Sequence, residues 1–331
     1  MKQRQLGKNG PPTSTLGLGC MGMSGIYAPV ERSVSIATIH AALEAGVTLL
    51  DTGDFYSSGH NEMLIAEALK TAPVSRREAA QLSVKFGVMR APKGGPLSYD
   101  TRPVAVKNFL TYSLQRLGVD YIDIYRPARL DPNVPIEDTI GAIADMVKAG
   151  YVRHIGLSEV GADTIRRAVA VHPICDLQTE YSLISRSIEE SVLPICRELG
   201  IAITAYGVLS RGLISGHWSK DAGSAGDLRI QSPRFQGENL NHNLALVEAL
   251  RKVAQEKNAS VAQIAIAWVA AQGDDIVPLV GARSCDRLTE ALGALDVVLS
   301  KADLAMIEQV VPKGAAAGGY YPAAAQVGVS R

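Results

Sequence analysis

Asp51, Tyr56 and Lys85 stand out first, because a carboxylate, a phenol and an amine can together make a proton donor. Tyr56 closes the segment Asp51-Thr-Gly-Asp-Phe-Tyr56, and Lys85 follows in Ser83-Val-Lys85-Phe-Gly87. A tyrosine is a poor acid at neutral pH, with an unperturbed pKa of about 10. A nearby ammonium stabilises the phenolate, and a buried carboxylate can hold that ammonium in place. Such a trio suits proton delivery to a carbonyl oxygen. The plainer alternative is a structural ion pair beside a surface tyrosine. A second motif, Gly17-Leu-Gly19-Cys-Met-Gly22, satisfies GxGxxG. A Rossmann turn would have to open a helix directly, but Ser24, Gly25 and Pro29 come before any helical pattern. A tight, side-chain-free wall against a ligand is the better reading. His40, His154, His172, His217 and His242 show no HxxxH or HExxH spacing, so no metal site is expected. His60 reads as a loop-stabilising residue. No tyrosine is followed four places on by lysine, so the short-chain dehydrogenase arrangement finds no support.

Successive apolar runs must position these side chains, and each ends in polar residues. Val47–Leu50 leads to Asp51, Leu82–Val84 to Lys85, Ile122–Ile124 to Tyr125-Arg126 and Ile155–Leu157 to Ser158. Cys175–Leu177 then leads to Gln178, and Ile201–Ala205 to Tyr206. With runs near Gly17 and Val277, this predicts eight strands. Helical periodicity lies between them near Glu31–Ala45, Asn61–Leu69, Pro103–Leu117, Ile136–Ala149, Ala162–Val171 and Ile188–Leu199, with two more near Ala245–Lys257 and Val261–Ala271. Ser260, and Asp131 or Asn133, read as N-caps, and Gly46, Gly118, Gly150 and Gly200 as left-handed helix ends. Chemistry at the carboxyl ends of parallel strands is the layout of a (β/α)₈ TIM barrel, an α/β fold. An N-terminal hairpin, Gln3–Leu6 returning through Ser14–Leu16, could plug its bottom. A long loop, Ser215–Asn241, follows strand 7 and reads as a lid or substrate loop. One domain over 1–331 is expected, with a flexible tail from about 313 in which Tyr320 and Tyr321 could dock.

At 47% hydrophobic and 20% charged residues the composition sits in the ordinary globular range, so a sizeable core is available. Thirty-three basic residues balance thirty-three acidic ones, which argues against a nucleic-acid or anionic-membrane partner. The start, MKQRQLGKNG, is too polar for a secretory segment, and Val261–Ala271 is shorter than the roughly 18 apolar residues of a membrane span. Cys20, Cys175, Cys196 and Cys285 form no CxxC pair and read as free thiols in a reducing cytoplasm. A homo-oligomer is left open.

The chain resembles the aldo-keto reductase superfamily, most closely its bacterial aldehyde/ketone reductase branch. The motifs are LDTGDFYSSGHNE (Leu50–Glu62), SVKFG (Ser83–Gly87), LGVDYIDIY (Leu117–Tyr125), GYVRHIGLSEV (Gly150–Val160), LQTEYSLISR (Leu177–Arg186) and the ALGAL segment near the C-terminus. They occur in the family's order and spacing. The resemblance implies NADPH-dependent reduction of aldehydes or ketones, without metal or flavin. It makes Asp51, Tyr56 and Lys85 three members of the catalytic tetrad. It gives NADP(H) to Ser158 and Gln178 at the nicotinamide carboxamide, Tyr206 against the ring, and Leu209, Arg211 and Gly212 at the pyrophosphate. Gly281, Arg283 and Arg287 match the 2′-phosphate segment and Glu290 a position near adenine; Gly19 and Met21 are assigned to the cofactor wall. Two guanidinium groups on a strand-to-helix turn suit a dianionic phosphate. Glu159 stands where many relatives have asparagine, and Ala291 replaces a commonly polar residue.

The main departure is Ala128, which occupies the place of the family's histidine in Tyr125-Arg-Pro-Ala128-Arg-Leu-Asp-Pro132. Its loss removes a donor facing the developing oxyanion, an effect of up to roughly 2.7–4 kcal/mol for a well-placed group. Either Tyr56 works nearly alone and slowly, or the space admits a bulkier ketone and another donor substitutes. Arg126 could substitute only if it points inward, and surface exposure is expected. The substrate pocket is expected to use Met23, Tyr27, Tyr56, Met89, Ala128 and Trp218, with Met21 and Phe235 adding apolar surface. A ketone on a bulky ring is the favoured substrate. The rival reading is a regulatory subunit that senses nicotinamide redox state with little turnover, like the potassium-channel-associated branch of the superfamily.

Overall fold

Eight parallel strands close on themselves in chain order in the computed structural model, which describes residues 1–92, 97–219 and 227–319. The barrel strands are β1 (Gly17–Gly19), β2 (Leu49–Gly53), β3 (Gln81–Phe86), β4 (Ile122–Pro127), β5 (Val152–Ser158), β6 (Ile174–Glu180), β7 (Ala202–Tyr206) and β8 (Ile276–Gly281). Closure comes from β8 pairing with β1, where Gly281 faces Gly19. The expected TIM barrel is therefore the observed fold. Around it lie α1 (Arg32–Glu44), α2 (His60–Thr71), α3 (Pro103–Leu117), α4 (Ile136–Lys148), α5 (Ala162–Val171) and α6 (Val192–Leu199). They are followed by α7 (Gly237–Glu256), α8 (Val261–Ala270), α9 (Cys285–Leu292) and α10 (Lys301–Val310).

Several helix ends follow from local chemistry. Ser260 caps α8 in a full capping box with Gln263. Gly118 and Gly200 end α3 and α6 in the left-handed conformation. Asp131 and Asn133 do not cap α4, contrary to expectation. Pro135 takes the cap position, and the Asp131 carboxylate instead accepts the Asn133 backbone N–H within its own turn, at 2.9 Å. Three helices lie outside the expected set: Val74–Ala79, α9 and α10.

The hairpin forms from Gln3–Gln5 and Pro12–Ser14 and does close the barrel floor. Arg4 donates to Gly273 O and Ala270 O, and Lys8 N–H to Gly200 O. Leu6 is fully buried in a small cluster with Leu49, Ile124, Cys175, Ala202 and Val277, the lowest layer of the barrel interior. A register shift between Ile174 and Asp176 lets Cys175 join that layer while its neighbour Asp176 also faces inward. Without such a bulge, adjacent strand residues would point to opposite faces.

The loop after β7 holds short 3₁₀ turns at Ser210–Ser215, Leu228–Gln231 and Pro233–Phe235 before α7 begins. Residues 313–319, expected to be flexible, run against this region: Asn243 exchanges hydrogen bonds with Ala317, and His242 meets Ala315 O. Tyr320 and Tyr321 lie outside the described residues. Cys20, Cys175 and Cys196 are buried and only Cys285 is exposed. Among the described residues no helix is long and apolar enough to cross a membrane.

Candidate active site

Tyr56 sits on a loop just beyond β2 whose backbone is strongly constrained. Ser57, Ser58 and Gly59 follow it with φ of 46°, 54° and 89°. Three consecutive left-handed residues are costly for side chains other than glycine and need outside support. Ser57 Oγ donates to Ser24 O at 2.6 Å, and His60 Nδ1 lies 3.0 Å from Ser24 Oγ. Asn61 donates to both Cys20 O and Ser24 Oγ, while Thr52 Oγ1 donates to Asn61 Oδ1. These bonds tie the Tyr56 loop to the turn Met21–Ser24. His60 thus serves the loop, as its position suggests. A Cβ on Gly59 would come within 2.8 Å of Arg116 Cδ, so α3 also presses on this loop.

The β2–β3 register sets Asp51 beside Ser83 and Gly53 beside Lys85. Strand alternation points Asp51, Ser83 and Lys85 into the barrel. Lys85 Nζ donates to Asp51 Oδ2, and both groups are almost fully buried. Ser83 Oγ and Gln178 Nε2 donate to Asp51 Oδ1 at 3.0 and 2.7 Å. Lys85 Nζ lies 5.2 Å from the centre of the Tyr56 ring. Burial pushes the Lys85 amine below its usual range; Asp51 opposes this, and Arg126 adds to it. The phenol, the amine and the carboxylate are therefore one cluster. A second carboxyl lies under the same loop: burial, and then Glu62, raises Asp54 to about 7, against the pull of Arg116.

Arg126 is not at the surface, which corrects the expectation for it. It is fully buried, donating through Nη1 to Asp176 Oδ2 at 2.9 Å and through Nη2 to Ser83 Oγ at 3.0 Å. Tyr125 takes the outward face of β4, stacked on Phe86 with ring centres 4.3 Å apart. Alternation along β4 then turns Arg126 inward. Asp176, Ser83 and Thr204, which also donates to Asp176, are site residues that sequence reasoning missed. The available signal was a charge inside the apolar run Cys175–Leu177.

The remaining rim residues come from separate strand ends. Ser158 ends β5, and its buried Oγ has no hydrogen-bond partner among the described residues. Gln178 pairs with Ser158 in register. The Glu159 carboxylate accepts Glu180 N–H at 2.8 Å and is used within the β5–β6 rim. Tyr206 ends β7, and Leu209 starts a turn in which Arg211 and Gly212 are left-handed, with φ of 58° and 96°. Gly19 and Gly281 face each other across the closing pair, and a Cβ on either would meet nothing nearer than 3.6 Å. That leaves a notch at the rim, bordered on the Gly19 side by Leu279. Arg283 borders it, since a Cβ on Gly22 would reach Arg283 Cγ at 3.3 Å. Arg287 pairs with Glu290 at 3.0 Å, and Glu290 also holds His217.

Residues 15–312 match the aldo/keto reductase family model. The chain belongs to that family. It is 42% identical to "Probable aldo-keto reductase 1" of Glycine max over 96% of this chain and 91% of the relative. It is 39% identical to aldo-keto reductase yakc, NADP(+), of Schizosaccharomyces pombe over 96% and 94%. Among solved structures it resembles the glycerol dehydrogenase AKR11B4 from Gluconobacter oxydans, with a TM-score of 0.85 and 26% identity over 93% of this chain and 94% of that one.

Of the pocket residues expected in this aldo/keto reductase, Met21 and Tyr27 are half-buried at the rim and Met89 is 43% exposed. Trp218 packs edge-on against Phe235, and the Arg229 guanidinium lies 4.5 Å from the Trp218 ring and 5.3 Å from that of Tyr27. Met23 is 2% exposed and packs in the core beneath the turn it sits on. Ala128 is buried just past β4, its N–H donating to Phe86 O. Among the described residues no group of three or more His, Cys, Asp or Glu is placed to hold a metal ion.

Proposed function

We propose that this protein reduces a ketone or aldehyde to the alcohol using NADP(H), with Tyr56 as the general acid. The observation that carries this reading is the buried Asp51–Lys85 pair placed 5.2 Å from the Tyr56 ring. NADP(H), when bound, supplies the hydride. The residues present fit such a dinucleotide. The partnerless buried Ser158 Oγ and the amide of Gln178 would hold the carboxamide, and Tyr206 would lie against the ring. The Gly19–Gly281 notch admits close approach beside Met21, and the left-handed turn with Leu209, Arg211 and Gly212 suits a pyrophosphate. Arg283 and Arg287 would take the 2′-phosphate, with Glu290 on the adenine side. The relative named with NADP(+) supports this choice.

Asp51 keeps Lys85 in place, and the ammonium makes the Tyr56 phenol a better acid. The proton passes from the Tyr56 hydroxyl to the carbonyl oxygen as the alcohol forms. Ala128 leaves room where relatives carry a histidine, which favours a ketone on a bulky ring over a small aldehyde. Tyr56→Phe should lower kcat by on the order of 10²–10⁴ while NADPH affinity, read by fluorescence quenching, stays within about twofold of the parent, because the ring is kept. Undiminished turnover in that variant would remove Tyr56 from the role.

A further inference from the structure

A line of hydrogen bonds crosses the barrel interior beneath the proposed proton donor. Thr204 Oγ1 on β7 donates to Asp176 Oδ2 on β6; Arg126 on β4 donates to the same carboxylate and to Ser83 Oγ on β3; Ser83 donates to Asp51, which holds Lys85. Arg126 and Asp176 are both fully buried. The wall of β5 is hollowed to receive them: a Cβ on Gly156 would lie 2.6 Å from Asp176 Oδ1 and 2.9 Å from Arg126 Cζ. The bulge at Cys175 turns Asp176 inward. Barrel interiors are usually filled by branched apolar side chains. A buried ion pair is seldom more stabilising than apolar groups of the same volume. Stability alone is therefore a poor reason for so specific an arrangement.

We propose that Arg126, oriented by Asp176, is a positioning residue for the Tyr56 proton donor, acting through Ser83 and Asp51 on Lys85. The proposal rests on the reading of Tyr56 as the acid. The pair is a fixed dipole whose positive end faces Asp51 and Lys85. Asp51 supports the Lys85 proton against this cation, and with Lys85 charged the added positive charge favours negative charge on Tyr56, which offsets part of what the histidine missing at Ala128 would have supplied. Arg126 itself remains charged: burial works against it, but Asp176 and then Asp51 outweigh burial, with Cys175 next. Cys20, just past β1, also faces Lys85. On β5 His154 also feels the Asp176 charge, as does Cys196 on α6; Gly156 and Thr204, which meet the pair directly, do not titrate.

The test is a pH titration of the Tyr56 phenol without substrate, read as the tyrosinate difference absorbance between each protein and its own Tyr56→Phe counterpart. The proteins are the parent, Arg126→Met, Arg126→Lys and Asp176→Asn, and kcat/KM against pH for a carbonyl substrate follows the same set. Arg126→Met should move the Tyr56 midpoint up by about one pH unit, and Asp176→Asn should move it down by a similar amount. Arg126→Lys, which keeps the charge, should stay near the parent. A merely structural pair would alter stability without opposite shifts of one phenol. Midpoints that do not move, or that move in the same direction, overturn the proposal. Should Arg126→Met fail to fold, the near-isosteric Asp176→Asn and the charge-conserving Arg126→Lys decide it. Full turnover in Tyr56→Phe would instead defeat the donor reading, and the two failures are separately visible.

Discussion

Ala128 stands where the resemblance to the family puts a histidine. It is buried just past β4, on the same strand end as Arg126. If its methyl group marks space for a bulky ring, Ala128→His should impair turnover of large ketones. It should also raise kcat/KM for small aldehydes by on the order of 10², since a well-placed oxyanion donor contributes roughly 2.7–4 kcal/mol. Steady-state kinetics on one substrate of each kind decides this, and no change in either would defeat the idea that the space is used. At this scale the sequence was legible where residue type alone implied a role. Asp51, Tyr56 and Lys85 suggest a proton donor by residue type, with a structural ion pair beside a tyrosine as the alternative. Arg126 and Asp176 announce nothing. They lie 50 residues apart, and each alone reads as a solvated charge or a break in an apolar run. Only closure of the barrel, the bulge at Cys175 and the absence of a side chain on Gly156 bring them together.

Strands and the turns that follow them decide which groups share the rim. The turn from β8 to α9 carries Arg283 and the first turn of α9 carries Arg287, whose N–H Ser284 accepts at 3.4 Å to cap the helix. Arg287 already has an anionic neighbour in Glu290, so a 2′-phosphate would join an existing charge cluster. Replacing both arginines by alanine should weaken NADPH binding by about 10- to 100-fold, because hydrogen bonds to charged groups are worth about 1.5–3 kcal/mol. NADH binding should change less than about threefold. Isothermal titration of both cofactors makes the comparison, and an equal loss would refute the assignment. The strands were readable because each is a short apolar run ending in polar residues, bounded by glycine and helical periodicity. The helices α9 and α10 were not, because they bury few apolar residues: Leu288 and Ala291 in α9 and Ile307 in α10. Their apolar stripes are too brief to stand out from the flanking loops, although Ser300 and Asp303 form a capping box that could have marked one start.

Across the whole molecule, packing and chemistry occupy opposite ends of the barrel. The floor is sealed by the hairpin through Arg4, Lys8 and the buried Leu6, while the proposed site lies above the polar line on which Arg126 sits. Leu6→Ala should therefore lower stability by about 2–4 kcal/mol, the range for emptying a buried leucine site. Because the change is at the far end, kcat/KM at moderate temperature should stay within about twofold of the parent. Urea unfolding combined with kinetics checks both, and a large kinetic loss without destabilisation would contradict this division. The cysteines are distributed in a way that matters for handling the protein. Burial pushes the Cys196 thiol up to about 12 and also raises Cys20 and Cys175 well above the usual thiol range, so all three resist forming the reactive thiolate. Cys285, the exposed first residue of α9, is two positions from Arg287. Nature has thus left a single accessible attachment point for a dye or spin label, next to where a bound nucleotide would announce its presence.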